Sequence, residues 1–96
     1  MIESFGDKGT EAIFHGEPAR LIRRYPIDVI PAVLRKLDLL QAARALMDLS
    51  AVPANRLEAL KGALKGLYSI RVNDQWRLVF RWDGSNAHDV RLTDYH

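Results

Sequence analysis

Apolar and polar residues alternate along two runs between Leu67 and Trp82, broken at Asn73-Asp74. Tyr68, Ile70 and Val72 share one face of the first run, and Trp76, Leu78, Phe80 and Trp82 share one face of the second. Successive strand side chains point to opposite sides of a sheet, so the pattern predicts a hairpin that presses an aromatic and aliphatic wall onto a core. Asn73-Asp74 tolerates the positive φ of a tight turn and is the predicted bend. The reverse faces carry Ser69 and Arg71, then Arg77, Val79 and Arg81, which predicts arginines turned outward.

Upstream the period becomes helical. Val29, Val33, Leu37 and Leu40 form a stripe that Ile30, Leu34 and Ala42 widen, while Arg35, Lys36, Asp38 and Gln41 fall mostly on the wet side. This predicts a main helix from Asp28 to about Ala43, with Pro31 in its first turn, where a missing N–H costs little. Leu46 to Leu49 reads equally as a continuation or an extra turn. Asp7 is a plausible N-cap for a helix over about Lys8 to His15, stopped by Gly16, with Ala12, Ile13 and Phe14 inward. Gly9 weakens that helix by roughly 1 kcal/mol relative to Ala.

Ile2 to Phe5 reads as a short first strand, and Glu17 to Pro26 as a loop holding Arg20, Arg23 and Arg24. After a loop over Ser50 to Asn55, Arg56 to Leu60 is a candidate strand, and Lys61 to Gly66 a turn. A second turn at Asp83 to Asn86 leads into a last strand, Ala87 to Asp94, with Val90 and Leu92 inward. The order predicts an α+β fold, two N-terminal helices on one face of a mostly antiparallel sheet of four or five strands.

At 96 residues the chain reads as one domain spanning 1–96, large enough for one modest core. No apolar run approaches the ~20 residues of a membrane span. Residues 1–9 hold an early acid and no apolar h-region, so they do not read as a signal peptide. The absence of cysteine excludes a disulfide frame and thiol chemistry and permits a cytoplasmic location. The net charge of +2 arises in residues 55–96, the half with the hairpin. That placement suits an anionic partner.

Several chemistries lack their signatures. There is no glycine-rich phosphate loop, no metal-ligand spacing among His15, His88 and His96, and no nucleophile elbow around Ser50, Ser69 or Ser85. What remains is Arg77 and, by matching parity, Tyr95, with Lys61 at the end of the earlier strand and Asp94 and His96 flanking Tyr95. Arginines on such a face are usually just solvated. The set nevertheless fits RNA cleavage. Attack of a ribose 2′-hydroxyl on the adjacent phosphate requires no metal, cofactor or protein nucleophile, only proton transfer and cations around the growing charge. Arg77 and Lys61 are the candidate phosphate clamp, and Tyr95 and His96 the candidate proton carriers. Arg71, Lys65, Arg81 and Arg91 are candidate RNA contacts.

The segments Asn55–Gly62, Tyr68–Arg77 and Asp94-Tyr95-His96 together resemble the HigB toxins of the RelE/ParE superfamily of type II toxin–antitoxin systems. Ile2–Gly9 and Arg35–Leu40 extend the likeness to nearly the whole chain. The resemblance implies a RelE-like fold and a ribosome-dependent endoribonuclease that cuts mRNA and so inhibits translation. It also implies a HigA-like helix-turn-helix antitoxin and a complex that binds operator DNA. By motif position the catalytic lysine, arginine and tyrosine fall on Lys61, Arg77 and Tyr95, with Asp94 and His96 in support. Where some members carry a histidine, this chain has Glu58. Two other readings are a ParE-like toxin that binds gyrase and a non-catalytic RNA- or partner-binding domain.

Overall fold

The computed structural model describes residues 1–18, 20 and 22–94. Four strands, β1 (Glu58–Ala59), β2 (Leu67–Arg71), β3 (Trp76–Asp83) and β4 (Asn86–Asp94), form an antiparallel sheet in the order β1-β2-β3-β4. The predicted wall is present. Ile70, Leu78, Phe80 and Val90 are fully buried, and Val72 and Leu92 nearly so. Helices α1 (Lys8–Phe14) and α2 (Ile30–Ala42) supply Ile13, Val33, Leu37 and Leu40 to the same cluster. Each such side chain contributes about 1.5–3 kcal/mol on burial, so the stripe rather than helix propensity anchors α2.

The helix ends follow local chemistry. Asp7 caps α1, its carboxylate accepting the N–H of Thr10 at 2.7 Å, and Gly16 leaves the helix with φ of 66°. Gly9 has a packing reason: a Cβ there would lie 2.7 Å from the hydroxyl oxygen of Tyr25. Asp28 does not open the main helix, because a 3-10 turn over Ile27–Val29 precedes it. At the other end Ala43, in extended backbone, is the inward residue and Ala42 is exposed, the reverse of the predicted stripe. Leu46–Ser50 is a separate short helix, α3, because that extended residue breaks the hydrogen-bond ladder. Two residues on the wet side of α2 are tied down: Gln41 accepts the N–H of Ile2 at 2.8 Å, and Lys36 donates to Asn55 Oδ1 at 2.6 Å. Burial, then the neighbouring charges of Arg35 and Arg71, lower the Lys36 pKa.

Three β features differ from expectation. The ladder between β2 and β3 closes at Arg71 opposite Arg77, and Asn73-Asp74 has no positive φ. The bend is instead held by the Asn73 side chain, whose Oδ1 accepts the N–H groups of Gln75 and Trp76 at 2.9 and 2.8 Å. The second difference lies in β4, where Asp89 has φ of 56° and the register shifts between Val79 and Arg81. The extra residue rephases the strand, so Ala87, Val90 and Leu92 all face inward despite uneven spacing. Third, residues 2–5 form no continuous strand, only parallel bridges Ile2 to Ala87 and Phe5 to Val90. The bulge interrupts their pairing, and Ser4 Oγ takes up the displaced N–H of Asp89 at 2.9 Å. The predicted strand over Arg56 to Leu60 shortens to Glu58–Ala59 because Arg56 sits in left-handed backbone.

Candidate functional site

Strand register arranges the reverse face of the sheet, away from α1 and α2, in crosswise rows. One row runs Glu58, Ser69, Val79 and Arg91. The row nearer the bend is Arg71, Arg77 and Thr93, and the row on the other side is Leu67, Arg81 and His88. Arg71, Arg77, Arg81 and Arg91 therefore share a face, as alternation predicts.

Arg77 does not project into solvent, and here the expectation is corrected. The residue is 7% exposed, and the neighbouring Ser69 is completely buried. It lies outside the apolar cluster beneath the helices, against the segment that leads into β1. Its Nε donates to Ser69 Oγ at 2.8 Å. Its Nη2 donates to the Arg56 carbonyl at 2.6 Å and, at 3.4 Å, to the Ser69 carbonyl. The Glu58 carboxylate lies 3.8 Å from Nη1. A buried cation is tolerated only where acceptors replace water, and these groups do so.

The acceptors are placed by local backbone. Ser69 sits in the middle of β2, where the pleat turns its hydroxyl to the reverse face, diagonal to Arg77 across the ladder. Arg56 has φ of 43° and ψ of 55°, the left-handed region that non-glycine residues rarely adopt. Such a conformation costs of order 1–3 kcal/mol and persists only when its surroundings enforce it. Preceding Asn55 helps to enforce it: it is fully buried, accepts from Lys36 and donates to the Leu49 carbonyl at 2.9 Å.

The other predicted residues fall in different settings. Lys61 is exposed, three residues past Glu58 along the edge of the sheet, about 10 Å of extended chain. Glu58 lies on the Arg77 side of the sheet. Asp94 ends β4 opposite Trp76 and accepts from Gln75 Nε2 at 3.1 Å. Arg71 pairs with Asp74, and Arg81 with Asp89 at 3.7 Å; both are surface ion pairs of small energetic weight. Lys65 and Arg91 are exposed. Tyr95 and His96 lie outside the described residues. The structure thus brings Glu58 and Arg77 together and adds Ser69 and the Arg56 carbonyl, neither of which stood among the predicted site residues. The signal for Ser69 was present: it shares strand parity with Arg77, and a small hydroxyl beside an arginine on one face is a ready acceptor. The Arg56 carbonyl carried no such signal, since backbone direction is not written in residue type.

The basic loop is a separate feature. Arg24 donates to the Tyr25 hydroxyl at 2.6 Å and lies 3.4 Å from the Asp7 carboxylate. The hydrogen bond to Tyr25, above all, raises the Arg24 pKa further. Tyr25 meets Trp76 edge to face at 5.7 Å, so the loop is moored beside the bend of the hairpin.

The model of the HigB-like toxins, described as the RelE-like toxin of type II toxin-antitoxin system HigB, matches residues 3–96. The chain belongs to the HigB-like toxin family. It is 44% identical over 82 residues to Toxin HigB-1 of Vibrio cholerae serotype O1, covering 85% of this chain and 84% of that protein. It is 29% identical to Endoribonuclease HigB of Proteus vulgaris over 96 residues, the whole of both chains. Among solved structures, the YoeB-YefM complex from Staphylococcus aureus aligns with a TM-score of 0.62 at 22% identity, over 100% of this chain and 95% of that one. A YafQ mutant from E. coli aligns with a TM-score of 0.62 at 16% identity, over 98% and 91%. These likenesses establish the RelE-like fold. As a HigB-like toxin of a type II system, the protein has an antitoxin as its partner. Among the described residues no helix is long and apolar enough to cross a membrane.

Proposed function

We propose that this HigB-like toxin is an endoribonuclease that cuts mRNA on the ribosome by attack of a ribose 2′-hydroxyl on the adjacent phosphate. A new bond forms between the 2′ oxygen and phosphorus while the bond from phosphorus to the 5′ oxygen breaks. The 2′-hydroxyl gives up a proton, and the departing 5′ oxygen takes one. Arg77 and Lys61 meet the charge that grows on the phosphate, and Tyr95 and His96 carry or align the protons, with Asp94 in support. Glu58 accepts a proton where some relatives have a histidine.

The observation that carries this reading is the fixation of Arg77. A guanidinium held by Ser69 Oγ at 2.8 Å and the Arg56 carbonyl at 2.6 Å has little freedom to reorient. Cations fixed before the reaction stabilise developing charge more effectively than mobile ones. The full-length similarity to a protein named Endoribonuclease HigB supports the same conclusion. The antitoxin in this reading is HigA-like, with a helix-turn-helix, and the pair binds its own operator in the cytoplasm.

Inducible expression followed by mapping of mRNA ends tests the proposal. New ends within open reading frames should accumulate, and should vanish when the antitoxin is co-expressed or translation initiation is blocked. Growth arrest with intact mRNA and induced DNA damage would instead identify a gyrase-directed toxin, and would overturn the ribonuclease reading.

A further inference from the structure

We infer that Ser69 is a positioning residue for the ribonuclease reaction, acting through Arg77; this rests on the reading of Arg77 as the phosphate-binding cation. Arginine is joined to its chain by several rotatable bonds, and a guanidinium on an open strand face would sample many directions. Here the direction is set by an acceptor at the Nε edge. Ser69 Oγ takes the Nε–H at 2.8 Å, and the same residue's carbonyl lies 3.4 Å from Nη2. The Arg56 carbonyl takes Nη2 at 2.6 Å. Hydrogen bonds at Nε and at Nη2, together with the covalent bond from Nε to Cδ, hold the guanidinium plane, because three anchors on a rigid planar group remove its rotation. That plane brings Nη1 toward the Glu58 side of the sheet.

Ser69 is suited to this role by size and burial. It is completely buried in the middle of β2, between Glu58 on β1 and Val79 on β3. A hydroxyl on this short side chain supplies an acceptor without displacing the arginine stem. Water cannot replace it easily at a site closed to solvent. Loss of the hydroxyl leaves the Arg56 carbonyl on Nη2 but removes the acceptor at Nε, and so loosens the guanidinium plane. A misplacement of about 1 Å at a reacting group can lower a rate by about 10²-fold.

The test compares wild type, Ser69→Ala and Ser69→Thr in cleavage of mRNA on programmed ribosomes, with Tm measured for each. Ser69→Ala should lower kcat by about tenfold or more while KM stays within about twofold. Ser69→Thr, which restores the hydroxyl, should recover most of the rate. A second reading is independent of activity. The Nε–H resonance of Arg77 in 15N-labelled toxin should exchange slowly in wild type and Ser69→Thr, and rapidly in Ser69→Ala. On an Arg77→Ala background, Ser69→Ala should cause no further loss. The inference fails if Ser69→Ala cleaves as fast as wild type, if its Nε–H remains protected, or if the double variant loses the full Ser69→Ala factor again. Wild type that leaves mRNA uncut removes this inference together with the ribonuclease reading. Wild-type cleavage matched by Ser69→Ala removes this inference alone.

Discussion

Lys61 and Arg77 carry the same charge but meet the protein differently, so their substitutions have different expected consequences. Lys61 is exposed at the sheet edge, whereas the Arg77 guanidinium is enclosed by Ser69, Arg56 and Glu58. Lys61→Ala should relieve growth inhibition with no measurable change in Tm. Arg77→Ala should relieve it too, but should also cost about 1–3 kcal/mol, because it strips a donor from buried Ser69 Oγ and from the Arg56 carbonyl. Urea titration of both variants checks the contrast. Arg77→Lys is expected to resemble Arg77→Ala in cleavage, since an ammonium cannot reach two acceptors through a planar fork. A Lys61→Ala variant as toxic as wild type would remove Lys61 from the phosphate clamp.

The elements of the scaffold depend on local devices open to separate tests. In α1, Gly9→Ala should raise helix propensity yet lower stability by about 1–3 kcal/mol, because the new Cβ would meet the Tyr25 ring. Thermal melts decide the sign. In α3, Asp48 accepts the N–H groups of Arg44 and Ala45, at 2.8 and 3.0 Å. The bond from Arg44, then that from Ala45, lowers its pKa below the ordinary carboxylate range. With the folded pKa depressed, the stabilisation is present above the unfolded carboxylate pKa and is lost as pH falls through the folded one. Asp48→Ala should therefore melt below wild type at neutral pH, and the two curves should converge in acid. In β4, Asp89 occupies positive φ, so Asp89→Val should cost of order 1–3 kcal/mol and Asp89→Gly much less.

For the molecule as a whole, the basic face of the sheet and the moored arginine loop are distinct surfaces. Binding of RNA to the sheet face should weaken with salt, because each phosphate neutralised releases counterions. Single substitutions of Lys65, Arg71, Arg81 or Arg91 by Ala should each weaken binding. Each should also reduce the slope of log K against log salt by about 0.7 for every phosphate left without its cation. Arg71 and Arg81 should show the smaller effects, since Asp74 and Asp89 already compete for them. Slopes unchanged in all four variants would move the RNA to another surface. A group fused after His96 should blunt toxicity if the last residues take part in the reaction, whereas growth arrest of undiminished strength would argue against them.

Much of this architecture could be read from residue order. Period-2 runs named the wall of Ile70, Leu78 and Phe80, and a four-four-three spacing named Val29, Val33, Leu37 and Leu40. Those readings succeed because water treats apolar side chains alike wherever they lie along a chain. The same alternation placed Arg77 on the reverse face but could not show that face partly covered. Covering it takes a segment that arrives from elsewhere in the chain, with a left-handed turn at Arg56 that its side chain does not announce. The phase slip at Asp89, the interrupted first strand and the close seat of Tyr25 on Gly9 were hidden for the same reason. Patterning reports which side of an element prefers water. Whether water reaches that side depends on which distant backbone packs there, and only the folded chain contains that answer.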